Sequence, residues 1–227
     1  FSKAINIWGA DHHGHVARLQ AALDGLGLDG SHRLVVVLMQ LVNLLQDGQP
    51  VRMSKRSGKA IALRDLLDEV SVDACRYFFN SRSFTSPLDF DLDLAVKEDS
   101  DNPVYYVQYA HARICSLAAR MKEEGASVPA ASAIDASLFT TPEELSLVKT
   151  LSLFPEEIRL ASRDYDPSHI NRYLLTLAGD FHRFYNSCRI KGEEAHVLAA
   201  RLKLADTVRS VLANGMALIG VTAPEKM

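Results

Sequence analysis

The chain has 227 residues, 48% hydrophobic and 23% charged, which suits a soluble globular protein of one large domain or two small ones. Its 25 basic and 28 acidic residues give a formal net charge of -3, so any nucleic-acid contact must come from a local patch rather than from bulk charge. Cys75, Cys115 and Cys188 lie far apart with no Cys-x-x-Cys, which speaks against a zinc site and a disulfide framework and fits a reducing cytoplasm. No run of about 18 apolar residues is present, so no membrane span is expected. The opening Phe1-Ser2-Lys3-Ala4-Ile5 has neither an initiator methionine nor a signal peptide, and the expectation is a piece that starts inside a domain.

Ala4 to Trp8 reads as a strand that turns at Gly9, and Val16, Leu19, Ala22, Leu23 and Leu26 carry a helical period over about 13–25. The apolar run from Leu34 to Leu45 reads as one buried strand, closed by a turn at Asp47-Gly48. Strand, helix, strand predicts α/β for this part. Leu63 to Val70 reads as helical, Ser71 as the cap of a second helix over 72–80, and Leu88 to Leu92 as a short edge strand with its acidic side to water. From Asn102 long helical segments take over, about 103–124, 142–163, 167–190 and 193–219, with Pro103, Pro142 and Pro167 at first-turn positions. The prediction is α/β plus all-α: 1–70, a connecting segment 71–101, and a helical bundle over 102–227.

Three stretches carry chemistry. The first is Gly9-Ala10-Asp11-His12-His13-Gly14-His15, at a strand end before a helix, where open α/β sheets bind ligands. Gly9 permits close backbone approach, Asp11 can accept from ribose hydroxyls, and an imidazole can pack on a base. The alternatives are a polar turn that merely solvates the helix start, or a metal pair at His12 and His15, which no further Cys or His cluster accompanies. The second is Val51 to Lys59, where Arg52, Lys55, Arg56 and Lys59 put four cations within nine residues around Gly58. Such a loop can stabilise charge on a polyphosphate leaving group, or it can be a solvated basic loop. The third is Tyr106, Tyr109 and Arg113, three and four apart on one helical face. Unpaired bases stack on such rings; equally, the tyrosines can pack in the bundle core.

Met53-Ser54-Lys55 with its flanks resembles the KMSKS signature of class I aminoacyl-tRNA synthetases, Arg52 standing where the family has its first lysine and Arg56 where it has its second serine. Gly9 to His15 resembles the GADH element of arginyl-tRNA synthetases. Asp73-Ala74-Cys75-Arg76, the run from Asp101 to Ile114 and the ending Ala223-Pro224-Glu225-Lys226-Met227 resemble further parts of that family, in order along the whole chain.

The resemblance implies the C-terminal half of a Rossmann-like catalytic domain followed by a helical anticodon-binding domain. It implies ATP-dependent ligation of arginine to its tRNA through arginyl-adenylate, with ATP and Mg2+, in a cytoplasmic enzyme that is monomeric at full length. Lys55 would bind the phosphates, supported by Arg52 and Lys59. Gly9, Asp11, His12, Met53 and Ser54 would contact the nucleotide. Tyr106, Tyr109, Arg113, Tyr185 and Met227 would contact the anticodon of an arginine tRNA. The family's HIGH signature is absent, and His12-His13-Gly14-His15 is not it, so the chain is expected to be inactive alone. The alternative is a non-catalytic tRNA-binding or regulatory module built from the same parts.

Overall fold

A computed structural model describes residues 1–51 and 62–227. The chain divides into two compact units, one of residues 1–60 and 82–93 and the other of 61–81 and 94–227.

In the first unit, β1 (Ala4–Gly9) runs into a 3-10 segment (Ala10–His15), α1 (Val16–Gly25) and α2 (Gly30–Arg33). The chain returns as β2 (Leu34–Met39), parallel to β1 with Ala4 opposite Leu34 and Gly9 opposite Met39. This is the strand, helix, strand unit that the sequence predicts, although the α-helix starts only at Val16. The second sheet holds β3 (Val42–Gln46), β4 (Gln49–Pro50) and β5 (Leu88–Asp91) in the order β4-β3-β5, with β3 antiparallel to β4 and parallel to β5. Asp47 and Gly48 make the turn between β3 and β4, both at positive φ (52° and 68°), the backbone a two-residue hairpin needs.

The apolar run from Leu34 to Leu45 is therefore not one strand. Its two halves belong to different sheets, parted at Gln40 and Leu41. The Gln40 amide donates to the Phe84 carbonyl at 2.9 Å, the Leu41 carbonyl accepts from the Leu88 amide, and the Leu41 side chain is 81% exposed. In β5, Leu88 and Phe90 are buried while Asp89 faces water, as the alternation predicts.

The second unit is helical. It contains α3 (Leu63–Glu69) and α4 (Val72–Phe79); after the short α5 (Leu92–Ala95) come α6 (Pro103–Glu123), α7 (Pro142–Ser152), α8 (Phe154–Asp164), α9 (Ser168–Ser187) and α10 (Ala195–Leu218). Ser71 caps α4 by accepting from the Ala74 amide at 3.2 Å. Asn102 caps α6 by accepting from Val104, and its amide donates to the Ala95 and Lys97 carbonyls. Pro103 and Pro142 open their helices; Pro167 stands just before α9 as its cap.

The segment expected as one helix over 142–163 is two, broken at Leu153. Pro155 has no amide proton to give to the preceding turn, so the helix restarts at Phe154. Helix α9 is the hub, packed against α6, α7, α8 and α10. Leu174, Leu177, Ala178, Phe181 and Phe184 are fully buried on it, meeting a core that includes Val107, Leu147, Val208, Leu212 and Met216. Burial of the leucine, valine, methionine and phenylalanine side chains among these contributes about 1.5–3 kcal/mol each.

Candidate nucleic-acid interface

Helix α6 places Tyr105, Tyr106, Tyr109 and Arg113 along one flank because those positions fall within about one quadrant at 3.6 residues per turn. Its buried stripe (Val107, Ala110, Ile114, Leu117) docks on the bundle and leaves that flank at the edge of α9. There α9 supplies His182, Tyr185 and Asn186, again a helical spacing.

The two flanks form one wall. Tyr105 and Tyr109 stack with an interplanar angle of 7° and centroids 6.1 Å apart. His182 packs edgewise on Tyr106 at 4.8 Å and lies more nearly parallel to Tyr109 at 6.0 Å. The Arg113 guanidinium sits over the Tyr185 ring at 4.3 Å and the Tyr109 ring at 5.6 Å, both within cation–π range. Arg113 also meets His182 Nδ1 at 3.4 Å, and Arg120 donates to the Tyr185 hydroxyl at 3.4 Å. Tyr109 is exposed, while Tyr105, Tyr106, Arg113, His182 and Tyr185 are half-buried. Burial pushes the His182 imidazole below its ordinary pKa, and the adjacent Arg113 cation adds to that.

In front of the wall lies a cavity of about 360 Å³ lined by Ser100, Tyr105, Tyr106, Tyr109, Arg113, His182 and Asn186. It offers aromatic faces, one guanidinium, and the hydroxyl and amide of Ser100 and Asn186. That combination can stack a flat heterocycle, meet a phosphate and bond to the edge of a base. A second cavity of about 450 Å³ lies beside Tyr185, walled by Arg120, Glu124, Arg189 and Lys191 among others. Its charge is partly spent internally: Lys191 pairs with Glu124, and Arg189 donates to the Lys191 carbonyl. Arg183, on α9, is paired with the buried Asp180.

Of the residues singled out from sequence, Tyr106, Tyr109, Arg113 and Tyr185 meet here. Met227 does not line the cavity. The tail that leads to it is held on the opposite flank of α6: Gln108 donates to the Thr222 carbonyl at 3.0 Å, and His111 Nδ1 lies 2.9 Å from the Pro224 carbonyl. Met227 itself is half exposed. Tyr105, His182, Asn186 and Ser100 are members that the sequence reading passed over. Tyr105 sits in the same helical window as Tyr109, four residues on, and was findable by that spacing; the others meet α6 only through tertiary packing.

In the first unit, Gly9 ends β1 and leads into the 3-10 segment that holds Asp11 and His12. A Cβ at Gly9 would lie 2.6 Å from the Asp11 carboxylate, the end of an exposed side chain that would have to swing aside for any larger residue there. His12 lies 3.8 Å from that carboxylate and faces the rings of the half-buried Trp8 and the exposed His15 at 6.2 and 5.8 Å. Among the described residues no three His, Cys, Asp or Glu side chains are grouped to hold a metal. Arg52, Met53, Ser54, Lys55 and Lys59 lie outside the described residues. No helix among the described residues is long and apolar enough to cross a membrane.

Residues 107–227 match the model of the DALR anticodon binding domain family. Over its whole length the chain is 52% identical to the arginine–tRNA ligase of Ruminiclostridium cellulolyticum and 50% identical to that of Acetivibrio thermocellus. It spans 40% of the length of each of these relatives. All of it superposes on 48% of a Campylobacter jejuni chain assigned as an arginyl-tRNA synthetase, with a TM-score of 0.87 and 36% identity. It also superposes on 41% of the Thermus thermophilus arginyl-tRNA synthetase with a TM-score of 0.82; at 23% identity this is a likeness of fold.

Proposed function

The chain belongs to the DALR anticodon binding domain family, and on that premise we propose that it is the carboxy-terminal part of an arginine–tRNA ligase. In this reading the helical unit binds the anticodon loop of an arginine tRNA, and the first unit is the C-terminal half of a Rossmann-like catalytic domain. The observation that carries it is the wall of Tyr109, Arg113, His182 and Tyr185, all inside the family-matched stretch. Anticodon bases are single-stranded, and single-stranded bases are recognised by stacking on aromatic rings and guanidinium planes.

The whole ligase would join arginine to ATP as arginyl-adenylate, release pyrophosphate, and pass the arginyl group to the terminal adenosine of the tRNA. Within this chain, Gly9 would let the backbone approach the adenosine, Asp11 would accept from the ribose hydroxyls, and His12 would pack on the base, with Met53 and Ser54 completing the contact. Lys55, supported by Arg52 and Lys59, would neutralise the charge that builds on the departing pyrophosphate; Arg52 supplies charge in place of lysine with a different geometry. Magnesium binds phosphate oxygens with few protein ligands, so it would enter with ATP, and no residue of this chain is assigned to it. The enzyme would be cytoplasmic and monomeric, and this chain alone would not activate arginine.

The test is binding of the chain to an arginine tRNA and to the same tRNA with its anticodon bases replaced, at one salt concentration. The reading expects replacement to weaken binding about tenfold or more, worth about 1.4 kcal/mol. Equal binding of the two would remove base recognition from this surface.

A further inference from the structure

We infer that His182 is a positioning residue for this wall: as a neutral imidazole it holds the Arg113 guanidinium against the Tyr109 and Tyr185 rings, and protonation makes it let go. The inference rests on the reading of the wall as an RNA-binding surface.

A guanidinium has donors only, so the contact of 3.4 Å between Arg113 Nη1 and His182 Nδ1 requires Nδ1 to accept. That fixes the imidazole proton on Nε2 and makes the ring neutral. The ring is wedged against Tyr106, Tyr109 and Phe181, so it cannot swing away without opening the wall. Nε2 is buried, with no hydrogen-bond partner among the described residues. A second proton, on Nδ1, would turn the acceptor into a donor and set two cations face to face.

The groups around His182 offer that second charge little relief. From α6 it meets the rings of Tyr106 and Tyr109, the Arg113 guanidinium and the Tyr106 backbone carbonyl, which favours the charged ring but is outweighed by burial and by Arg113. On α9 its neighbour Phe181 is apolar, Arg183 is turned to Asp180, and Tyr185 lies under Arg113. The segment before α6 gives the cavity Ser100, flanked by Asp99 and by Asp101, which is bonded to Lys97. The other helices engage α9 elsewhere: α7 through Thr150 on Asp180, α8 through Phe154 on Tyr173, and α10 through Gly215 on Leu174. Burial and Arg113 hold the His182 pKa below the ordinary histidine value, so the neutral, clamping form is the one present at neutral pH.

The experiment measures binding of the full 227-residue chain to an arginine tRNA transcript at fixed salt, at about pH 7.5 and at a pH below the His182 midpoint read by NMR titration of the same chain. Wild type is compared with His182→Gln, which keeps an acceptor but cannot titrate, and His182→Phe, which keeps a ring but has no acceptor. Protonation of the other histidines strengthens RNA binding in all three alike, so the ratio of wild type to His182→Gln isolates this ring. The affinity ratio is expected to fall about fivefold or more on acidification, with His182→Phe weak at both values. A ratio that stays constant overturns the inference. Tyr109→Ala in the same assay separates the two levels: binding lost there with a constant ratio removes only the role of His182, whereas binding kept there removes the RNA wall and the inference with it. Should a variant fail to fold, NMR titration of the wild type decides: the His182 ring and the Arg113 Nε–H should move with one midpoint, and different midpoints refute the clamp.

Discussion

Thr222 docks on Asp73 through two hydrogen bonds, its amide donating to one carboxylate oxygen at 3.1 Å and its hydroxyl to the other. Gln108 of α6 gives Asp73 a third donor at 2.8 Å. The Asp73 carboxylate stands in the first turn of α4, where negative charge is favoured, and ties that helix to α6 and to the carboxy-terminal tail. Asp73→Ala should cost about 1–3 kcal/mol, the range for losing hydrogen bonds to a charged group, and toward its lower end because Thr222 is exposed. Amide hydrogen exchange over 221–227 should quicken with the bundle core still protected. Unchanged protection of the tail would show that the tail is held by other contacts.

Glu144 is a carboxylate that is only 1% exposed, and Arg201 donates to it at 2.7 Å while the Thr140 and Thr141 amides each donate at 3.0 Å. Burial pushes its pKa up, but the bonds from Thr141, Arg201 and Thr140 outweigh that and hold it below the usual carboxylate range. The unfolded chain therefore takes up this proton first on acidification. Stability from this group is full above the ordinary glutamate pKa and is lost as pH falls through the folded value. Glu144→Gln should cost about 1–3 kcal/mol near neutral pH, because Arg201 loses its shorter carboxylate partner and keeps only Glu193 at 3.6 Å and the Arg189 carbonyl. Urea unfolding at neutral pH and near pH 4 should show the gap between variant and wild type narrowing in acid. A pH-independent gap would locate the loss in packing rather than in charge.

Elements whose signals were local could be read before the fold was known. Ser71, Asn102-Pro103 and Thr141-Pro142 each mark a helix start by their own chemistry, and the structure starts α4, α6 and α7 at those places. The break at Leu153 was missed because the helical period continues across it, although Pro155 carried the signal. The run Leu34 to Leu45 was misread for a different reason: hydrophobicity marks burial but does not say which sheet a strand joins, and that was decided by Phe84 and Leu88. In the site, Tyr106, Tyr109 and Arg113 were legible because one helix fixes their spacing. His182 lies 69 residues from Arg113 and joins it only because α9 packs against α6. The basic loop had the clearest chemical signature, yet its cations lie outside the described residues, so its role stays with the sequence resemblance.

Arg113 separates charge from shape. Its guanidinium lies over two rings and donates to His182, which a lysine ammonium cannot reproduce with one compact charge. Arg113→Lys should weaken tRNA binding about fivefold or more, while the slope of affinity against salt stays as in wild type because the charge is kept. Arg113→Ala should lose the same stacking and also lower that slope by about one phosphate contact. Equal affinity of Arg113→Lys and wild type would mean that Arg113 acts only as a surface charge.

Tyr109 is the aromatic most open to solvent in the wall, at 39% exposure, and its ring already lies against Tyr105 and His182. An exposed ring that is held in place on both sides is ready to take a base without first being ordered, which limits the entropic cost of binding. Tyr109→Ala should therefore weaken binding of the arginine tRNA by about 1–3 kcal/mol, the value of one stacked base. Thermal stability should change little, since the ring is not in the core. The salt slope should be unchanged, because no phosphate contact is removed. Tyr173→Phe is the control: it removes a hydroxyl bonded to the Thr150 carbonyl at 3.1 Å in the buried interface of α7 and α9, so it should lower stability and leave tRNA affinity intact. If Tyr109→Ala instead lowers the melting temperature and spares tRNA binding, the ring is structural, and base recognition has to be sought in the second cavity beside Tyr185.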